Sequence, residues 1–155
     1  MERLASRREF LRVVGGVTAG LAATVVFEPA AATPAAMQDA IRKVVGSARV
    51  GTGRVKLELP PLVENGNTVP LAISVESPMT EADHVRAIHV FTEKNPQPEV
   101  VTFRFGPRAG RAQVATRIRL ADTQTVVAIS ELSDGSFWAA NANVVVTLAA
   151  CLEDA

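Results

Sequence analysis

Seven stretches of this chain are apolar at every second residue or run apolar over a strand's length, and that pattern predicts strands. Val55, Leu57 and Leu59 alternate with Arg54, Lys56 and Glu58, and Val69, Leu71, Ile73 and Val75 repeat the rhythm. Val101, Phe103 and Phe105 stand opposite Thr102 and Arg104. Val114, Thr116, Ile118 and Leu120 are expected to face inward, opposite Gln113, Arg117 and Arg119. Ala140, Ala142, Val144, Val146 and Leu148 form a long last strand against Asn141, Asn143 and Thr147. The apolar runs 87–91 and 126–131 complete the set. Successive side chains on a strand point to opposite faces, so each alternating stretch buries one face and wets the other. Asn65-Gly66, Asn95-Pro96-Gln97-Pro98, Gly106-Pro107 and Asp134-Gly135 lie between them, all residues that turns favour. The expected fold is all-β: an immunoglobulin-like β-sandwich of about seven strands. With a single Cys it has no intersheet disulfide.

One short helix is expected ahead of the strands. Thr33-Pro34 offers a capping hydroxyl and a proline at the first helical position. Met37, Ala40, Ile41 and Val44 then recur at helical spacing, and Gly46 supplies a stop. The expected role of this helix is to pack over one end of the β core.

The first 32 residues read as an address. A charged opening with Arg3, Arg7, Arg8 and Arg12 precedes an apolar run softened by Gly15, Gly16, Thr18 and Gly20, then Pro29 and Ala30-Ala31-Ala32. That order is a cleavable export signal. Ser6-Arg7-Arg8-Glu9-Phe10-Leu11 fits the twin-arginine pattern, the route for proteins exported already folded. The run is too short for a stable membrane span. Residues 33–155 form the expected mature domain, in an oxidising, periplasmic compartment.

Few residues are left that could carry chemistry. Lys plus Arg and Asp plus Glu number 16 each, so no basic footprint for nucleic acid exists. Aromatic residues are 5% of the chain, too few for a stacking platform. No glycine-rich phosphate loop is present. Asp83-His84 and His89 are the only imidazole-bearing candidates for a metal, and the set lacks further ligands. His84 is read as a loop or interface histidine, and Phe137 and Trp138 as core anchors at a strand start. Cys151 remains, four residues from the end of the chain. It is either a small hydrophobe closing the last strand or a nucleophile on a tail. Glu153 and Asp154 beside it disfavour a thiolate, so activation has to come from a partner.

Several long runs resemble SoxY, the sulfur-carrier subunit of the periplasmic thiosulfate-oxidising Sox system. They are Ser77-Pro78-Met79-Thr80-Glu81-Ala82-Asp83-His84-Val85 and Ile88-His89-Val90-Phe91-Thr92-Glu93-Lys94-Asn95-Pro96. Thr116-Arg117-Ile118-Arg119-Leu120-Ala121-Asp122-Thr123-Gln124-Thr125-Val126-Val127-Ala128 and Ser133-Asp134-Gly135-Ser136-Phe137 continue the likeness, as does the twin-arginine signal. The resemblance implies an immunoglobulin-like sandwich that pairs with a SoxZ-like subunit. It implies covalent attachment of sulfur compounds at Cys151, with no cofactor of the carrier's own. It further implies that a haem oxidase, a sulfate-releasing hydrolase and a sulfane dehydrogenase act on the attached sulfur. The family's arm ends Gly-Gly-Cys-Gly-Gly; here Ala149-Ala150 precedes the Cys, and Leu152-Glu153, then Asp154-Ala155, follow it. Glycine lets a tail pass narrow channels, and this tail is bulkier. The alternative is therefore a non-carrying paralogue, an interaction subunit of a Sox-type complex.

Overall fold

Thr33 and Pro34 do start a helix in the computed structural model, which describes residues 32–149. Helix α1 (Pro34–Val45) is capped by the Thr33 hydroxyl, which accepts from the Ala36 amide at 3.1 Å. Gly46, at φ +60°, ends it and donates its amide to the Arg42 carbonyl at 2.8 Å. The export signal lies outside the described residues, apart from its final Ala32.

The seven strands read from the sequence are all present, and two short ones join them. In chain order they are β1 (Val50–Thr52), β2 (Val55–Glu58), β3 (Leu62–Val63), β4 (Val69–Val75) and β5 (Val85–Thr92). They continue with β6 (Glu99–Arg104), β7 (Gln113–Ile118), β8 (Gln124–Leu132) and β9 (Phe137–Val146). The larger sheet runs β1-β9-β8-β5-β6, with β3 also on β9; the smaller is β2-β4-β7. This is the immunoglobulin-like sandwich that the alternation predicted.

β1 and β3 had no alternating signature to reveal them. Both pair in parallel with β9, β1 beside residues 137–139 and β3 beside residues 145–146. Between them the chain leaves for the smaller sheet as β2, turning at Gly53 with φ +103°, a backbone that side chains strain to adopt. Two short strands thus cover the outer edge of the last strand, where open backbone groups would invite further pairing. Gly51 is needed where it stands, because a Cβ there would lie 2.8 Å from the Trp138 ring.

Two clusters hold the layers. Val69, Leu71, Ile73, Val85, Ile88, Val90, Leu120, Val126 and Val144 fill the space between the sheets. Met37, Val45, Phe91 and Ile129 form a second cluster on the outer face of the larger sheet, with Ile41 and Phe137 packed against it. α1 therefore lies on that outer face and not over the end of the sandwich. This is why β5 is buried on both faces and reads as a continuous apolar run. Phe137 and Trp138 are half-buried anchors on opposite faces, Trp138 carrying the Arg54 guanidinium 4.9 Å above its ring. Two expected inward residues face water: Thr116 on the edge strand β7, and Leu148, past the end of β9. Among the described residues no helix is long and apolar enough to cross a membrane.

Candidate functional site

The last strand delivers the chain toward Cys151, and the structure shows how firmly it is held on the way. The Val145 amide donates to the Pro61 carbonyl at 2.9 Å, and the Thr147 amide to that of Val63 at 3.0 Å. The Leu148 amide donates to the Glu64 carbonyl at 3.1 Å, and the Leu148 carbonyl accepts from the Gly66 amide at 2.8 Å. The segment 61–66 therefore runs beside the strand as a clamp that continues past its end. Asn65 shapes the turn by accepting the Asn67 amide on its side-chain oxygen at 2.9 Å. From the other side, the Thr123 hydroxyl accepts the Val146 amide at 3.0 Å.

The residues around Thr123 belong to the same end of the sandwich. Buried Asn95 accepts the Ala121 amide at 2.9 Å and the Gln124 side-chain amide at 3.0 Å, and donates to the Arg119 carbonyl at 2.8 Å. Gln124 in turn accepts the Lys94 amide at 2.8 Å. This network ties the β5–β6 turn to the β7–β8 connection, directly beneath the point where β9 finishes. A buried polar network of this kind fixes geometry because each lost partner leaves an unsatisfied group. At the surface, Lys94 Nζ meets Asp122 at 2.7 Å, which together with the Thr123 amide holds the Asp122 carboxyl below its usual range.

Cys151, the expected attachment residue, lies outside the described residues. The last backbone bond of the clamp is at Leu148, and three peptide units separate that residue from Cys151. At roughly 3.3–3.6 Å per residue, the thiol's residue is within about 11 Å of the clamp. Leu148 itself is 59% exposed, so the root of the arm sits on the protein surface.

The histidines serve other purposes. His84 closes a loop: its Nδ1 lies 3.0 Å from the Thr80 carbonyl, which can only accept, so Nδ1 carries the proton. Its amide donates to the Ser133 hydroxyl at 3.1 Å, and that hydroxyl donates to the Ala82 carbonyl at 3.2 Å. Met79, at φ +51°, is buried in the same loop. The run 77–85 is thus pinned to the β8–β9 turn, which explains why its polar residues stand at those spacings. His89 is buried in β5 and looks to β6, with Nδ1 3.0 Å from the Thr102 hydroxyl and 3.4 Å from Glu99. Thr102 gives its proton to Glu99 at 2.6 Å, so His89 Nδ1 is the donor to Thr102. The Thr102 hydroxyl, more than any other group, holds the Glu99 carboxyl below its usual range; burial, next in size, opposes it, and His89 adds to the lowering. The two histidines have different partners, and among the described residues no three His, Cys, Asp or Glu gather as metal ligands.

Sequence reasoning missed the clamp. Its signal was slight: Pro60-Pro61 ends one alternating stretch, Asn65-Gly66 marks a turn, and only Leu62 and Val63 lie between to form a strand.

The family model for the sulfur oxidation protein SoxY matches residues 41–151. The solved structure of the sulfur carrier protein SoxY from Chlorobium limicola f thiosulfatophilum is 28% identical, with a TM-score of 0.61 over 74% of this chain and 98% of that one. A superoxide reductase (neelaredoxin) from Ignicoccus hospitalis is 23% identical, with a TM-score of 0.55 over 74% of this chain and 94% of that one. A superoxide reductase from Nanoarchaeum equitans is 13% identical, with a TM-score of 0.52 over 62% of this chain and 100% of that one. The two reductases share the fold alone. No curated protein matches the chain.

Proposed function

The chain belongs to the SoxY family of sulfur oxidation proteins, and on that premise we propose that it carries sulfur compounds covalently on Cys151 during thiosulfate oxidation. The observation that supports this most is the clamp. It fixes the root of the arm at an exposed residue, three positions before the only thiol of the chain. A nucleophile tethered so close to a rigid surface is presented to other proteins in a restricted volume, which raises its effective concentration at their active sites.

Loading is an oxidative joining of two sulfurs. The thiol and thiosulfate form one S–S bond, the thiol proton leaves, and two electrons pass to a haem oxidase, giving Cys151–S–S–SO3⁻. A hydrolase then releases the terminal sulfonate as sulfate with water, and the remaining sulfane sulfur is oxidised in place by a sulfane dehydrogenase. The carrier holds the sulfur and catalyses none of these steps. A SoxZ-like subunit pairs with it, and the signal around Arg7-Arg8 takes the folded pair to the periplasm.

The test is an intact-mass measurement on the reduced mature complex, given thiosulfate, a Sox-type haem oxidase and an electron acceptor. The carrier chain is expected to gain one thiosulfate less one proton. A mass that stays constant while the oxidase turns over on a family member bearing the glycine arm would overturn the proposal. That outcome would favour the interaction-subunit reading, for which the bulkier Leu152-Glu153 is the motivating feature.

A further inference from the structure

The sequence between Val100 and Leu120 holds five arginines, Arg104, Arg108, Arg111, Arg117 and Arg119, and no carboxylate. All five are exposed, and among the described residues none is in an ion pair. The acids that flank this stretch are already engaged, Glu99 by Thr102 and His89 and Asp122 by Lys94. Arg117 and Arg119 differ from the other three in what lies beside them. β6 is an edge of the larger sheet and β7 an edge of the smaller. The two edges line a groove of about 320 Å³, to which β6 contributes half-buried Val100 and Phe103, and β7 and its end contribute Arg117 and Arg119. The root of the arm is close by. The Leu120 amide donates to the Gly66 carbonyl at 2.9 Å, and the Gly66 amide to that of Leu148 at 2.8 Å. Three backbones joined in this way put Leu148 about 10 Å from Leu120, the residue after Arg119.

We propose that this groove receives the chain's own tail, with Leu152 seated on Val100 and Phe103 and the Glu153 and Asp154 carboxylates on Arg117 and Arg119. Reach and charge select this occupant. Leu152 is four residues beyond Leu148, a span of at most about 14 Å, and Asp154 is six, at most about 22 Å. Both spans exceed the distance from Leu148 to Leu120, so the tail attains the groove without disturbing the clamp. The tail brings one large apolar side chain followed by two acids, and the groove offers apolar side chains beside two unpaired arginines. Arginine suits the task, since its planar fork can take a carboxylate in two parallel hydrogen bonds. A tether this short holds the tail at a high effective concentration beside the groove, so weak contacts suffice. Exposed ion pairs are individually weak, so the latch opens and closes as chain ends do, and Cys151 stays within reach of reagents and enzymes. The docked tail is a rest position, and an enzyme that takes up the arm competes with the groove for Leu152 and the acidic pair. The latch needs no sulfur on Cys151, so it stands apart from the carrier reading.

The single thiol supplies the test. The mature complex, with this chain isotopically labelled, receives a nitroxide on Cys151, and its amide signals are compared before and after the nitroxide is reduced with ascorbate. A tail free to swing relaxes residues on every side of its root, whereas a docked one concentrates the effect at the groove. In wild type the relaxation enhancement at residues 100–103 and 117–119 is expected to be at least about twofold that in the variant Glu153→Gln with Asp154→Asn, as a mostly docked tail requires. Leu152→Ser, and separately Arg117→Gln with Arg119→Gln, are expected to weaken it to the same extent. The tail substitutions follow the last strand in the chain and both arginines are exposed, so the sandwich is kept. Sodium chloride at about 1 M, where the Debye length is about 3 Å, is expected to act like the charge substitutions. Equal enhancement in wild type and the tail variants overturns the proposal and leaves a free arm. Enhancement confined to residues 62–66 overturns it as well. So do groove signals that shift when the partner subunit binds and do not respond to the nitroxide, which assign the groove to that subunit.

Discussion

Cys151→Ser is expected to reduce thiosulfate-dependent electron transfer through the reconstituted system to the background seen without the protein. A serine oxygen is close to the sulfur in size but forms no bond to sulfur that the oxidative step could use, and its hydroxyl stays protonated near neutral pH. The effect is all-or-none because the thiol is the only one in the chain. The clamp ends at Leu148, so the melting temperature and the pairing with the partner subunit are expected to match wild type. Steady-state reduction of the electron acceptor checks this directly. Retained electron transfer in the variant, with loss on omitting the whole protein, would identify an interaction subunit that carries nothing.

Phe91→Ala is expected to lower the unfolding free energy by about 3–5 kcal/mol, the usual range for a large aromatic removed from a core. Phe91 has no exposed surface and lies between the larger sheet and α1, beside Met37 and Ile129. Truncation leaves a cavity that neither neighbour fills, since the sheet fixes one wall and the helix reaches the sheet mainly through this cluster. A domain of this size would melt roughly 10–20 °C lower. Phe91→Leu, which keeps most of the volume, is expected to cost only about 1 kcal/mol. Thermal unfolding followed by circular dichroism distinguishes the two. Equal melting for Phe91→Ala and wild type would mean that the helix contributes nothing to the stability of the sandwich.

The sandwich was legible because its principal strands alternate. Val69 to Val75 buries Val69, Leu71, Ile73 and Val75 and leaves Pro70, Ala72 and Ser74 outward, as a period of two requires. The helix was legible from its caps, Thr33, Pro34 and Gly46, which act locally and so can be read locally. Where it packs was not legible, because the outer face of β5 differs from an inner one only in what covers it. β1 and β3 escaped notice for a related reason. A strand of two or three residues has no period, and its place is set by the edge of β9, which is distant in the sequence. Leu148 continues the alternation of the last strand but faces water, because the ladder stops at Val146 and the clamp takes over. The runs around Asp83-His84 and Asn95 carried the family resemblance, and the structure shows their local part. Their side chains hold loops, with His84 on Thr80 and Asn95 on Arg119, Ala121 and Gln124. The position of the thiol was legible as a place in the chain, and the structure adds that the backbone bonds of the clamp run as far as Leu148.

The most direct test of a presented thiol is its reactivity in the native assembly. The mature complex, reduced and folded, is mixed with iodoacetamide, and the modified fraction of Cys151 is followed by peptide mass against the same chain in denaturant. The expected result is labelling of the native complex within severalfold of the denatured rate. A thiol protected in the native complex and labelled only on unfolding would contradict a carrier function for this chain.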